Sequence, residues 1–251
     1  MVGQDFKKNC VPTINKRVQE VEFGHRVTRK KLWLNIKHKL KRLQFAKTYS
    51  KFKTDQWKKV LFTDESPYRL TNSKGKQYVW RKQGEEFKQA CLVPKFRENT
   101  SSIMVWGCIT WNGPGPLHFC DGNVNGKHYK SNLEKNLPLA KKKLKLPKDF
   151  IFLQDNAPAH TAKLCQEFYK EKKLNLMPFP PNSPDLNPIE NVWSHIENEI
   201  RYKPLNILED LKKEVENAWN NMDKKIIQKC IESMPICLEA VKQAKGGSTK
   251  Y

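Results

Sequence analysis

The sequence predicts an α/β fold in which strands come first, strands and helices then alternate, and helices close the chain. Three observations carry this. Short apolar runs bounded by turn residues stand at 60–64, 102–110 and 150–154. Longer segments, at 31–49 and from 187 onward, repeat apolar residues at steps of three and four. Gly/Pro/Asn-rich stretches at 112–116 and 178–188 punctuate the two kinds of segment.

In chain order, residues 12–23 read as a short helix with Thr13 as N-cap, and 25–31 as a basic linker. The helix expected over 31–49 carries the stripe Leu32, Ile36, Leu40, Leu43 and Ala46. VLFTD at 60–64 is a short strand. Residues 68–71 and 77–80 flank a turn at 73–76 that contains Gly75, and so read as a hairpin. A strand at 102–110 is followed by the turn signal NGPGP at 112–116 and an extended run at 117–120. A basic helix over 127–146, a strand at 150–154, a helix at 161–172 and a short strand at 174–177 come next. After the rigid loop 178–188 a helix opens with Asn187 as N-cap and Pro188 at its first position. Its stripe is Ile189, Val192, Trp193, Ile196 and Ile200. Amphipathic segments at 206–221 and 223–244 close the chain, the second broken or kinked at Pro235.

Composition narrows the function. With 38% hydrophobic residues, including 7 Trp and 12 Phe, the 251-residue chain can bury a core and is not wholly disordered. A net charge of +21 opposes compaction unless a polyanion is the partner, and nucleic acid is the first candidate. Residues 1–60 hold +13 of that charge, which marks them as a possible DNA-facing arm. The seven Cys form no C-x-x-C pair, so a zinc ribbon or disulfide framework is disfavoured and a reducing compartment favoured. No apolar run reaches the ~18 residues of a membrane span. Lys/Arg runs at 29–31, 37–42 and 141–145 fit nuclear import, and equally a solvated basic face.

The chemistry-bearing residues are carboxylates. Asp155 follows an apolar strand and precedes a helix, and ligands of open α/β sheets gather at the carboxyl ends of strands. Asp64 has the same placement at the end of VLFTD, with Glu65 beside it as a competitor. Each Asp is also at a position where turn formers are common. Glu190 is the third residue of its helix, where a capping-box Glu reaches back to the cap residue. It also stands at the edge of the apolar stripe, with Asp185 and Glu197 as rivals. Three carboxylates at one point repel one another unless a hard divalent cation joins them. Such a site in a basic protein is suited to cutting or joining phosphodiesters. The aromatic residues interleaved with basic ones, Trp33, Phe45, Tyr49, Phe52 and Trp57, are read as packing residues rather than a base-stacking platform.

A resemblance now adds to this reading. The motifs KRLQFA (41–46), WKKVLFTDES (57–66), YVWR (78–81), MVWGC (104–108), QDNAPAHTA (154–162) and SPDLNPIENVW (183–193) resemble the Tc branch of the Tc/mariner superfamily of DDE transposases. The ending KGGSTKY (245–251) resembles the C-terminus of that family. The 34 residues between Asp155 and Glu190 fit the branch whose third carboxylate is Glu. The resemblance implies metal ligation and catalysis by Asp64, Asp155 and Glu190, with two Mg2+ ions for which Mn2+ can substitute. It implies an RNase H-like mixed five-stranded sheet flanked by helices. It also implies cleavage of double-stranded DNA at transposon ends, strand transfer by the 3′-OH into a TA target, and a homodimer in the DNA complex.

In the same family 78–85 falls in a loop that helps pair subunits; Asn156 and His160 are read as a helix-entry turn, with orientation of Asp155 or of bound DNA as the alternative. The family carries two helix-turn-helix modules ahead of its catalytic domain. Here only 12–23 resembles a remnant, so the expected organisation is a basic remnant and linker helix over 1–50 and a catalytic domain over 51–251, in a truncated copy. The competing functions are a DNA-binding protein derived from a transposase that no longer cuts, and an RNase H-type nuclease acting on RNA–DNA hybrids.

Overall fold

The computed structural model describes residues 32–70, 102–122, 124–203 and 205–250. The expectations for 12–23, 25–31, 72–80 and 78–85 lie outside those residues. The chain divides into two compact units, Met1–Leu32 and Trp33–Tyr251, and the elements below belong to the second.

Helix α1 (Ile36–Tyr49) starts where the Asn35 Oδ1 accepts the His38 backbone N–H at 2.8 Å. The expected stripe is corrected here. Leu32, Ile36 and Leu40 are exposed and Leu43 is half-buried; of the expected stripe Ala46 is buried, and Arg42 and Phe45 join it. Periodicity finds the helix, but a paired Arg and the larger aromatic rings decide which face turns inward. The one-turn helix α2 (Thr54–Trp57) carries Trp57 into a ring cluster with Tyr49 and Phe52. Phe45 stacks on Tyr49 in the same cluster, so these aromatics are packing residues, while Trp33 is exposed.

Strand β1 (Val60–Arg69) is ten residues long, not five. It absorbs Asp64 and the first two residues of the expected hairpin, Tyr68 and Arg69. Strands β2 (Ser102–Thr110) and β3 (Gly113–Cys120) form a hairpin across Trp111 and Asn112, with Gly113 at φ 122° making the turn. Pro114 and Pro116, expected in a loop, lie in β3. That is tolerable because β3 is an edge strand and need not donate on its outer side. Helix α3 (Gly126–Leu144) leads to β4 (Ile151–Leu153). The helix expected over 161–172 is two pieces, α4 (Pro158–Thr161) and α5 (Lys163–Glu171), broken at Ala162 with ψ 143°. Strand β5 (Asn175–Leu176) and a 3-10 turn (Pro184–Leu186) precede α6 (Pro188–Ile200). Helices α7 (Leu208–Asn220), α8 (Lys224–Glu232) and α9 (Met234–Gln243) follow, with Pro235 in the first turn of α9.

The strand order is β3-β2-β1-β4-β5. β1 runs antiparallel to β2 and parallel to β4, and β4 runs parallel to β5, so the sheet is mixed. Alternating side chains supply two apolar layers. Val60, Phe62, Tyr68, Val105, Ile109 and Leu153 pack with α6 to α9 and α1. Leu61, Trp106, Cys108 and Phe152 pack with α3 and α5.

Gly107 marks the closest approach of the sheet to the first layer. A Cβ there would stand 2.6 Å from Trp193 Cη2 and 2.8 Å from Trp219 Cη2, two rings stacked at 4.9 Å. Gly107→Ala is therefore expected to lower stability by about 1–3 kcal/mol, the usual cost of overpacking a core. A urea unfolding curve measures this; an unchanged midpoint would mean the indoles have room to yield.

Candidate active site

β1 pairs with β4 only from Val60 to Phe62, opposite Ile151 to Leu153. Beyond Phe62 one side of β1 is free of β4, and Asp64 stands there, past the carboxyl end of β4. The earlier placement of Asp64 at a strand end is thus corrected: the neighbouring strand ends, and β1 continues along β2. Strand alternation puts Asp64 on the same face as Phe62 and Tyr68, the face covered by α6. Glu65 points to the opposite face.

Glu190 lies in the first turn of α6, directly above this face. The expected capping contacts are not made. Asn187 makes no side-chain cap; its Nδ2 donates instead to the Thr63 carbonyl at 3.3 Å. That bond ties the start of α6 to the residue before Asp64. The Glu190 carboxyl stands close enough to Asp64 for each to shift the other's ionisation. Burial, then the charge of Glu190, pushes the Asp64 carboxyl well above the usual carboxylate range. Burial likewise raises Glu190, helped by the charges of Asp155 and Glu197. Two neighbouring carboxyls resist ionising together, and a divalent cation removes that cost.

Asp155 follows β4 by two residues and is the most exposed of the three. Burial would raise its pKa, but the hydrogen bonds from His160 and from the Ala157 N–H prevail and lower it. The Ala157 N–H donates to Oδ1 at 2.9 Å, and His160 Nδ1 stands 2.7 Å from the same oxygen and 3.4 Å from the Asp155 backbone carbonyl. His160 is 2% exposed, and its Nε2 faces Glu65 Oε1 at 3.2 Å. The Tyr129 ring lies over it at 3.9 Å, and the Tyr169 hydroxyl donates to its carbonyl.

Burial would lower the His160 pKa, yet the two carboxylates push it up to about 10. A raised folded-state value means that this group's stabilisation is complete below the unfolded imidazole value of about 6.5 and is lost as pH climbs through about 10. Wild-type stability to denaturant is expected to fall more between pH 7 and pH 10 than that of His160→Gln. Equal declines would contradict the ion pair.

Of the rival carboxylates, Asp185 is committed elsewhere. Arg42 Nη1 and Nη2 each donate to one of its oxygens at 2.6 Å. Glu197 lies near enough for its charge to act on Glu190. Among the described residues, no three acidic, imidazole or thiol groups close into a ready-made metal cage. The donor set nevertheless suits Mg2+, which takes one or two carboxylates and leaves other positions to water and phosphate. Sequence reasoning missed the pairing of Glu65 with His160 and of Arg42 with Asp185. The five-residue step from Asp155 to His160 was visible, but its partner 95 positions upstream was not.

The DDE superfamily endonuclease family matches residues 59–212, a span holding Asp64, Asp155 and Glu190. The Tc1 transposase of Caenorhabditis elegans is 30% identical over 240 residues, covering 95% of this chain and 87% of that protein. The chain belongs to the Tc/mariner family of DDE transposases. Among solved structures, the catalytic domain of Mos1 mariner transposase superposes with a TM-score of 0.70 at 17% identity, over 88% of this chain and all of that one. The Mos1 mariner paired-end complex with Mn superposes with a TM-score of 0.78 at 19% identity, over 95% and 72%. These likenesses identify the mixed five-stranded sheet as the RNase H-like fold. As a DDE transposase the chain is a DNA-cutting enzyme by family, and its three strand-end and helix-start carboxylates lie on the matched span.

Proposed function

We propose that this transposase cuts the ends of its own element and joins the freed 3′-OH to target DNA, with Asp64, Asp155 and Glu190 as the metal-holding carboxylates. The observation that carries this reading is the gathering of Asp64 and Glu190 past the end of β4, close enough for their charges to interact and for the charge of Asp155 to act on both. Buried like charges persist in a fold when a cation gives them a use. The ions held here are two Mg2+, with Mn2+ as a substitute, the metal that the Mos1 paired-end complex contains. Bound, they activate the attacking oxygen and stabilise the leaving one of a phosphodiester.

The remaining work is done by the chain itself. Thr63 and Asn187 hold the first and third carboxylates in register. The Lys/Arg excess binds the phosphate backbone with an affinity that falls as salt rises. The partner is double-stranded DNA carrying the transposon ends, with TA as the target, and a homodimer pairs two ends. The place of action is the nucleus.

The experiment is cleavage by the full chain of two labelled substrates of one sequence: a duplex of the element's terminal DNA, and the matching RNA–DNA hybrid. Cutting of the DNA duplex at the element's boundary is the expected result. Hydrolysis of the RNA strand with the DNA left whole would replace this reading with that of an RNase H-type nuclease.

A further inference from the structure

Asp64 and Glu65 are neighbours in β1 but point to opposite faces of the sheet, and the one on the far face is not idle. Glu65 Oε1 faces His160 Nε2 at 3.2 Å, and the other ring nitrogen of His160 faces Asp155 Oδ1 at 2.7 Å. We propose that Glu65 and His160 form a positioning brace for Asp155, linking the strand of the first carboxylate to the second and fixing which oxygen of Asp155 is presented to metal. The inference rests on the reading of Asp155 as a metal ligand.

The imidazole is held from every side, which is what a brace requires. It is 2% exposed, lies against the Tyr129 ring at 3.9 Å, and has its carbonyl bound by the Tyr169 hydroxyl at 3.0 Å. Tyr129 and Tyr169 are themselves joined through Gln154, the residue before Asp155, at 2.7 Å and 3.0 Å. The ring therefore cannot swing without disturbing the α3 and α5 layer.

Its effect on Asp155 is specific. Oδ1 accepts the Ala157 N–H and is the carboxylate oxygen paired with His160 Nδ1, which also faces the Asp155 backbone carbonyl at 3.4 Å. Among the described residues no donor reaches Oδ2. Asp155 thus offers one oxygen rather than two, and a single-oxygen ligand suits the strict octahedral geometry of Mg2+. Glu65 makes its side-chain contact with the site through His160, while its charge also bears on Asp64 from the other face of β1, so it is a positioning residue, not a ligand.

The test is Mn2+ binding to the full chain without DNA, read from the free-ion electron paramagnetic resonance signal. Wild type, Glu65→Ala, Glu65→Gln, His160→Asn and the double variant Glu65→Ala/His160→Asn are compared below their melting temperatures. Loss of an outer partner typically weakens a metal site about 10–100-fold. Glu65→Ala and His160→Asn are each expected to raise the Kd by a factor in that range, with Glu65→Gln between wild type and Glu65→Ala. The double variant should lose clearly less than the product of the two single losses, because the Glu65 contact runs through His160 and only its charge reaches Asp64 directly.

Wild-type affinity in both Glu65 variants would overturn the brace while leaving the metal site intact. Additive losses in the double variant would do the same. Absence of saturable binding by the wild type would instead contradict the metal-site reading itself, and the brace with it.

Discussion

Arg42→Ala is expected to destabilise the protein by about 3–5 kcal/mol, the cost of removing one partner from a buried ion pair. Arg42 is 1% exposed and engages Asp185 through both terminal nitrogens. Its Nε and Nη2 also donate to the carbonyls of Gly246 and Gly247, at 3.0 and 3.1 Å. Thr249 Oγ1 completes the ring by donating to Asp185 Oδ2 at 2.7 Å. Three distant parts of the chain meet there: α1, the SPDLNP loop and the segment after α9. Removing the guanidinium leaves the Asp185 carboxylate with Thr249 as its remaining donor and takes a donor from the Gly246 and Gly247 carbonyls. Gly246 shows how tight the junction is, since with φ at +82° a Cβ would run into the Lys39 carbonyl.

Denaturant unfolding measures the loss. A further comparison separates charge from packing: Arg42→Met/Asp185→Leu, which removes both charges and keeps volume, should lose less than Arg42→Ala alone. If the double variant is the less stable of the two, the pair is worth more as a pair than this argument allows. Because Asp185 stands five residues before Glu190, Arg42→Ala is also expected to slow cleavage.

Asp155→Ala is expected to slow strand cleavage about a thousandfold, the equivalent of the several kcal/mol that divalent-ion stabilisation contributes. Asp64→Asn and Glu190→Gln should act with similar force, and combining them should add little, since all three serve one site. DNA binding should not weaken, because it rests on Lys and Arg and not on these carboxylates. Stability moves the other way. Asp64 is raised by burial and by the charge of Glu190, so Asp64→Asn, which cannot ionise, should raise the unfolding midpoint of the metal-free protein. Gel assays of cleavage and a thermal melt of the same samples read both effects. A slow variant that is also less stable would point to damage to the fold rather than to the site.

Much of this was legible in the sequence, and the misses have physical causes. The apolar runs at 102–110 and 150–154 are strands, and Pro235 does divide the last helices. β1 was read too short because its second half, Asp64 to Pro67, has the polar and proline content of a turn. It stays extended because β2 pairs with it along its length while β4 stops at Leu153. The buried face of α1 was misjudged because Arg42 outweighs Ile36 and Leu40 once Asp185 is there to pair with it. No local pattern reveals a partner 143 positions away.

The same limit governs the site. Asp64 and Glu65 could not be told apart from strand period alone, since period 2 gives two faces but not which one meets α6. Phe62 and Tyr68 settle the face only when packed. Glu190 stands where a capping box would put it, and no local pattern shows that Asn187 makes no side-chain cap and donates its amide to the Thr63 carbonyl instead.

The most direct test is incubation of the purified full chain with supercoiled plasmid carrying the element's own ends, in Mg2+, in Mn2+ and in chelator. Metal-dependent breaks mapping to the element's ends, with some ends joined to TA sites, are the predicted result. Plasmid left intact in both metals, while salt-sensitive binding persists, would contradict it and make the three carboxylates inherited structure in a protein that only binds DNA.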